Sequence, residues 1–238
     1  MKKIDYGIDA PKVIRRLLFI GILIISITLL FPIVSFGEIE LVTSGFIWAG
    51  VSLIVGAILM TLYSKFGKLK HRDRILNKIQ WTGSEKVLDV GTGLGLLMIG
   101  AAKRLTTGKA IGIDIFDSRD LSNNTLERTR ANAKLEGVTG NTEVLRMDIL
   151  KTDFPNDYFD VIVSNLCLHN IKKAKDRDAA CAEIFRILKP EGKTIISDFI
   201  NIGNYSRKFK SLGMKVQNEG TYLFDTFPPL TIIKSIKQ

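Results

Sequence analysis

Residues Val87-Leu88-Asp89-Val90-Gly91-Thr92-Gly93-Leu94-Gly95 constrain the fold more than any other stretch of this chain. An apolar run holding one acid meets three glycines at every second position. The apolar, helix-like run Leu96 to Ala102 follows. That order is strand, tight turn, helix. Glycines let a ligand approach the backbone without a Cβ in the way. The turn leaves the amides of a helix N-terminus facing that ligand. A dinucleotide site asks for Gly-x-Gly-x-x-Gly or Ala. Here the residue three after Gly93 is Leu96, so the spacing is Gly-x-Gly-x-Gly and the dinucleotide pattern fails.

From Gly83 onward short apolar strands alternate with helices. Strands are predicted at 86–90, 109–113, 142–146, 159–164 and 193–198, and helices at 94–105, 124–136 and 175–188. Near-continuous apolar strands of this kind belong in a parallel sheet covered on both faces. The tail breaks the alternation. After a helix at 205–212, strands at 215–226 and 230–237 are joined only by Phe227-Pro228-Pro229. So short a link cannot make a parallel crossover, so this pair is antiparallel. The fold class is therefore α/β: a doubly wound, Rossmann-like, mostly parallel seven-stranded sheet with an antiparallel C-terminal hairpin.

The first 80 residues are different. Leu17–Phe36 and Phe46–Tyr63 carry no charged residue. Each is near the roughly 20 residues that cross about 30 Å of hydrocarbon. The first run is too long for the apolar part of a signal peptide, and no clean small-x-small cleavage site follows it. They are predicted to form an α-helical membrane hairpin, with spans at about 17–36 and 46–63. The domains are then 1–67, the hairpin, and 68–238, the soluble part. The formal net charge of +10 could suggest nucleic acid. However, residues 1–80 hold 11 Lys or Arg against 5 Asp or Glu, mostly flanking the two apolar runs. The loop between them carries Glu38 and Glu40 and no base. By the positive-inside rule both ends face the cytoplasm, and the basic flanks suit anionic headgroups. The expected partner is a lipid bilayer rather than nucleic acid. The expected location is the cell membrane, multi-pass, with the soluble domain cytoplasmic. Cys167 and Cys181 have no metal-ligand spacing and read as small apolar filler; no metal site is expected.

The soluble part resembles the class I S-adenosylmethionine-dependent methyltransferases over roughly Trp81 to Gln238. The resemblance rests on five motifs in order: Val87–Gly95; Gly112-Ile113-Asp114; Met147-Asp148-Ile149; Phe159-Asp160-Val161-Ile162-Val163-Ser164-Asn165; and Leu188-Lys189-Pro190-Glu191-Gly192. It implies S-adenosyl-L-methionine as cofactor. Asp114 would accept from both ribose hydroxyls, and Asp148 from the adenine amino group between Ile115 and Ile149. Asp89 would order the glycine loop and meet the cofactor's amino-acid end through it or a water. Gly91, Thr92, Gly93 and Gly95 would form the loop, and Asn165 would lie near the methionine moiety. One departure is the long charged connection Ile115 to Asn123, which reads as a surface insertion or as a loop close to the adenosine.

Methyl transfer from a sulfonium is an in-line displacement that rests largely on positioning. A base is needed only where the acceptor must lose a proton. Histidine side chains titrate near neutral pH and suit that work. Of the two histidines, His71 lies in the basic junction, while His169 follows strand four in Asn165-Leu166-Cys167-Leu168-His169-Asn170. That segment resembles one in small-molecule methyltransferases, including quinone-ring ones. His169 and Asn165 are the candidate catalytic residues, and a structural histidine capping the next helix is the alternative. Ser164-Asn165-Leu166-Cys167 lacks the Pro-Pro-aromatic motif of amino-methylating nucleic-acid enzymes, and two cysteines are too few for a metalloid methyltransferase. The hairpin points to a small lipid-phase acceptor such as an isoprenoid quinone. The competing readings are a tethered methyltransferase of a soluble metabolite and a non-catalytic cofactor-binding membrane protein.

Overall fold

The computed structural model describes residues 4–238. Helix α1 (Pro11–Leu30) leads into strands β1 (Ile33–Phe36) and β2 (Ile39–Val42), then α2 (Phe46–Leu62). A π-helical turn at Tyr63–Gly67 carries α2 straight into α3 (Lys68–Leu76). The alternating part follows: β3 (Lys86–Val90), α4 (Leu96–Ala102), β4 (Lys109–Asp114), α5 (Leu126–Leu135), β5 (Thr142–Arg146), β6 (Phe159–Asn165), α6 (Ala174–Ile187), β7 (Leu188–Asp198), α7 (Ile202–Ser211), β8 (Lys215–Tyr222) and β9 (Leu230–Ile236).

The first apolar run is not one helix. Helix α1 begins six residues earlier than predicted and ends at Leu30. Pro32 follows it, and a proline biases the residue before it away from the helical region. Residues 33–36 instead pair antiparallel with 39–42 around Gly37. The uncharged helical stretch is therefore Leu17–Leu30, about 21 Å long at 1.5 Å per residue. Helices α1 and α2 lie against each other through Gly21 and Gly50. A Cβ on Gly21 would stand 2.8 Å from the Gly50 carbonyl, and one on Gly50 would stand 2.6 Å from Ile25 Cγ1. Small residues at such a crossing let backbones approach.

The seven-stranded sheet has the order β5-β4-β3-β6-β7-β9-β8. Strands β5, β4, β3, β6 and β7 run parallel, and β9 pairs antiparallel with both β7 and β8. This is the predicted architecture. Both faces are covered, as the continuous apolar strands require. Val87, Val163, Ile195 and Ile232 point to the face packed by α3, α4 and α5, whereas Leu88, Ile162, Ile196 and Ile233 point to the face packed by α6 and α7. In β6 the alternation slips between Phe159 and Val161, where the register with β7 shifts. Ile184, Tyr205 and Phe209 are fully buried on the second face, and each such side chain contributes about 1.5–3 kcal/mol of burial.

Residues 5–9 pack on the α/β domain, on the far side of the predicted boundary at 67. Asn132 donates from Nδ2 to the Asp5 carbonyl (2.9 Å), and the Tyr6 hydroxyl donates to Glu136 (2.8 Å). Lys68, 3 % exposed, donates to the carbonyls of Tyr6 and Gly7 and lies 3.0 Å from Asp9. A buried ammonium needs such partners.

His71, on α3, is wholly buried. Arg74 Nη1 lies 3.2 Å from Nδ1 and can only donate, so Nδ1 is the acceptor and the proton sits on Nε2, 2.7 Å from Ser197 Oγ. The Tyr63 and Tyr222 rings pack edge-on to it, and Asp225 neutralises Arg74 beyond. Burial, then Arg74, push its pKa down to about 4. The stability tied to this histidine is complete above the ordinary value of about 6.5 and is lost as pH falls toward 4. Against a His71→Gln protein, the wild type should lose about 3 kcal/mol more stability between pH 7 and pH 4 in denaturant melts. Parallel pH dependences would remove this assignment.

Candidate active site

The parallel strands bring their C-terminal ends to one edge, where open α/β sheets bind ligands. Along it lie Asp148 beyond β5, Asp114 ending β4, Gly91 after β3, Asn165 ending β6 and Asp198 ending β7. The sequence candidates are thus brought together, with differences of detail.

The glycine turn works differently from expectation. The amides of Gly91 and Thr92 both donate to the Ile113 carbonyl (2.9 and 3.0 Å), and Gly95 N–H donates to Thr92 O (2.8 Å). Gly93 N–H donates to Asp114 Oδ2 (2.8 Å). The turn spends its amides on its own shape and on tying β3 to β4. These four amides are therefore not free donors for a ligand. Asp89 is buried beneath this turn, accepting from Thr92 Oγ1 (2.8 Å) and Met98 N–H (2.9 Å). Burial pushes its pKa up to about 7, against the pull of those two donors. Asp89 therefore orders the loop, as expected, from below. Gly91 has φ +73°, and a Cβ there would meet Cys167 Sγ at 2.3 Å and Cβ at 2.4 Å. Gly91→Ala should cost about 2–4 kcal/mol in thermal or denaturant melts, from strain plus overlap. A melt within 0.5 kcal/mol of wild type would show that the turn can move away.

Asp114 accepts from Gly93 N–H at one oxygen and Phe116 N–H (2.5 Å) at the other. Burial raises its pKa. With Asn124 Nδ2 also reaching Oδ1, the remaining lone pair is on Oδ2. Beside it Asn124 donates to Asp114 (3.4 Å) while its own Oδ1 is buried without a partner. Asn124 stands at the predicted start of this helix, but the observed cap of α5 is Thr125. Ile115 is half exposed, Ile149 is buried in the core, and Asp148 is exposed with its carboxylate turned to Leu150 N–H (2.9 Å). At the other end of the edge, Asn165 Oδ1 is also buried and unpartnered.

These orphaned acceptors fit S-adenosylmethionine. Its ribose hydroxyls would donate toward Asp114 and Asn124, and its methionine ammonium toward Asn165. An unmet buried acceptor is costly, so two at one sheet edge argue for a ligand rich in donors.

His169 sits in a single turn, Leu168–Asn170, after β6. Its Nδ1 lies 2.8 Å from Asp198 Oδ1. Asp198 is wholly buried, and it also accepts from Phe199 N–H (2.9 Å) and His169 N–H (3.2 Å). Nδ1 makes no aligned hydrogen bond in this structure; with the ring turned to face Asp198, the proton would sit on Nδ1 and leave Nε2 as a base. The Phe199 ring packs edge-on at 4.7 Å. Asp198 was missed as a functional residue. Its signal was present: it is an acid ending a strand, like Asp114. Cys167 is half-buried against Gly91 and Cys181 fully buried, both free, in keeping with their reading as filler.

The connection 115–123 is not a plain surface insertion. Ser122 N–H donates to Ile8 O (3.0 Å), and Ala10 N–H donates to Asp120 O (2.8 Å). Leu121 covers Gly93, and Asp120 stands within electrostatic reach of His169. The loop straps the N-terminal segment over the glycine turn.

Sheet order, glycine turn and strand-end acids together define a class I S-adenosylmethionine-dependent methyltransferase domain. Residues 87–192 match the family described as "Methyltransferase domain". The ubiquinone/menaquinone biosynthesis C-methyltransferase UbiE of Vibrio vulnificus is 32% identical over 115 residues, 48% of this chain and 41% of that one. UbiE of Vibrio campbellii is 33% identical over 116 residues, with the same coverage. The chain thus spans about two fifths of the length of these curated relatives. Among solved structures, YcgJ of Bacillus subtilis superposes with TM-score 0.59 at 15% identity, covering 71% of this chain and 98% of that one. A SAM-dependent methyltransferase of Aquifex aeolicus superposes with TM-score 0.57 at 18% identity, covering 72% and 92%. These two likenesses concern the fold.

Proposed function

We propose that the chain is a membrane-anchored, S-adenosylmethionine-dependent methyltransferase acting on a small lipid-phase acceptor with an ionisable hydroxyl, of the prenylated quinol type. The observation that carries this reading is the His169–Asp198 pair, set on the sheet edge that α3 and the end of α2 cover. The names of the UbiE relatives support the quinol class.

The cofactor supplies a methyl group already activated on a sulfonium. Asp114, Asn124 and Asn165 would hold its donors. Asp198, 2.8 Å from His169 Nδ1, would hold the ring proton there once the two groups align, so that Nε2 could take the proton of an acceptor hydroxyl. Removing that proton raises electron density on the ring carbon next to it. Phe199 gives the base an apolar wall, and the 115–123 strap keeps water from the glycine turn.

The anchor reading rests on α1 and α2. A core helix of a soluble protein is mostly buried. Here only 17% of each apolar window is buried, and Phe19, Leu30 and Trp48 lie exposed. Basic residues flank the pair at the soluble side, as the positive-inside rule asks. A reporter fused after Gln238 should read cytoplasmic, and an extracytoplasmic signal would overturn this topology.

The test of function gives membranes with and without the protein methyl-labelled S-adenosylmethionine and separates lipid from aqueous products. Label in the lipid extract supports the proposal. Label only in water-soluble products would make the chain a tethered methyltransferase of a soluble metabolite. Cofactor binding without product would leave a non-catalytic binding protein.

A further inference from the structure

The loop between β8 and β9, residues 223–229, has a side-chain arrangement that the methyl-transfer chemistry does not use. Its base is clamped to the helix leaving α2. Asp225 receives Arg74 (2.5 Å) and Lys70 (2.9 Å). The Arg74 guanidinium also lies 3.9 Å over the Tyr222 ring. From this clamp the loop turns up along α2. A Cβ on Gly67 would meet the Asp225 carbonyl at 2.6 Å, and one on Gly56 would meet the Phe227 ring at 3.7 Å. Gly56 is seven residues before Tyr63, about 10 Å back along the helix, within the uncharged run of α2. The tip itself presents Leu223, 58% exposed, and Phe224, 102% exposed.

A fully exposed phenylalanine beside a mostly exposed leucine is not explained by folding, because Phe224 buries nothing in this chain and Leu223 less than half of its surface. The neighbours give the patch its character. Phe66 is exposed on the same helix exit, and Phe199 and Ile200 are exposed on the β7 end, at the same sheet edge. Lys70 stands at the base of the tip, 2.9 Å from Asp225, and Lys65 precedes the exposed Phe66 on the helix exit. Apolar side chains ringed by lysine, at the level where an apolar helix becomes polar, match the boundary between acyl chains and anionic headgroups.

We infer that the β8–β9 tip is a third bilayer contact, with Leu223, Phe224 and Phe227 inserted beside α2 into the headgroup–acyl boundary. It rests on the reading of α1 and α2 as membrane spans. Interfacial side chains reach about 5–10 Å below the headgroups, the depth that Phe227 shares with Gly56. The contact fixes the tilt of the soluble domain. It turns the edge carrying Phe199, which packs on His169, toward the membrane surface.

The full-length protein, carrying Phe224→Cys with a nitroxide label, is reconstituted in vesicles of mixed neutral and anionic phospholipid. Labels at Leu62→Cys, on the last turn of α2, and at Lys215→Cys, at the far end of β8, are the references. Wild-type protein treated with the same label corrects for Cys167 and Cys181. Collision with oxygen over a water-soluble nickel chelate reads depth. The label at 224 is expected to favour oxygen by at least threefold over the label at 215 and to approach the label at 62. A water-like label at 224 with a lipid-like label at 62 would overturn the contact and leave the spans standing. Water-like labels at both would overturn the spans and the contact together. Spin–spin broadening between labels at 224 would make the occupant a second copy of the chain and overturn the lipid assignment.

Discussion

Replacing His169 with alanine is expected to lower turnover about 10²- to 10⁴-fold, the range over which a positioned base acts. Cofactor affinity should change by no more than about twofold, because His169 lies beyond the acceptors of the cofactor's donors. Asp198→Asn should follow it, with a loss of about 10²-fold or more. An amide can offer its N–H₂ to Nδ1 and so hold the proton on Nε2, the wrong tautomer for a base. Asp198 touches the reaction only through His169, so it is a positioning residue. Its effect should fall on kcat rather than KM, and the double variant should be no slower than His169→Ala alone, since residues that act as a unit are not additive. Labelled-methyl transfer with vesicle-borne acceptor measures both. Turnover intact in His169→Ala would return this histidine to a structural cap of its turn.

The second large effect concerns the cofactor. Asp114→Ala removes a carboxylate that takes one backbone N–H at each oxygen and, in the proposed complex, the two ribose hydroxyls. Hydrogen bonds to a charged group contribute about 1.5–3 kcal/mol each. Two of them correspond to about a 10²- to 10⁴-fold weaker Kd for S-adenosylmethionine, measurable by calorimetry. The same change frees Gly93 N–H and loosens the turn, so a melt should be run alongside. Asp148→Ala provides the contrast. Its carboxylate is exposed and already turned to its own loop, so its removal should weaken binding by less than about tenfold. Normal binding by Asp114→Ala would show that the cofactor lies elsewhere on the sheet edge.

Much of the soluble fold was legible because its signals are local. Val87, Leu88 and Val90 end in glycines, and no short link other than a hairpin can join 222 to 230. Acids or an amide at or just past three parallel strands, Asp114, Asp148 and Asn165, then point to one sheet edge. The same logic names Asp89, Gly91, Asp114, Asn165 and His169, which the fold gathers toward one end of the sheet. It erred where a nonlocal partner decides the outcome. Leu17–Phe36 reads as one apolar run, but Pro32 and pairing with residues 39–42 convert its end into a strand. The charged connection at 115–123 reads as an insertion, and only the distant segment 8–10 makes it a strap.

The sequence by itself determined the class of the chain: a glycine turn after an apolar strand, strand-end acids at fixed intervals, and two uncharged helices flanked by base. Each is a pattern within about 20 residues, and short-range sterics and hydropathy suffice to read it. Only the tertiary structure paired His169 with Asp198, 29 residues on, set His71 against Ser197, 126 residues on, and laid Phe227 along Gly56. Those contacts depend on which strand lies beside which and on how a helix exits, which no local pattern encodes. The glycine turn itself shows the division. Its sequence announces a ligand site, but the folded chain shows that its amides hold the turn together, while the acceptors left for the ligand are Asp114, Asn124 and Asn165 around it.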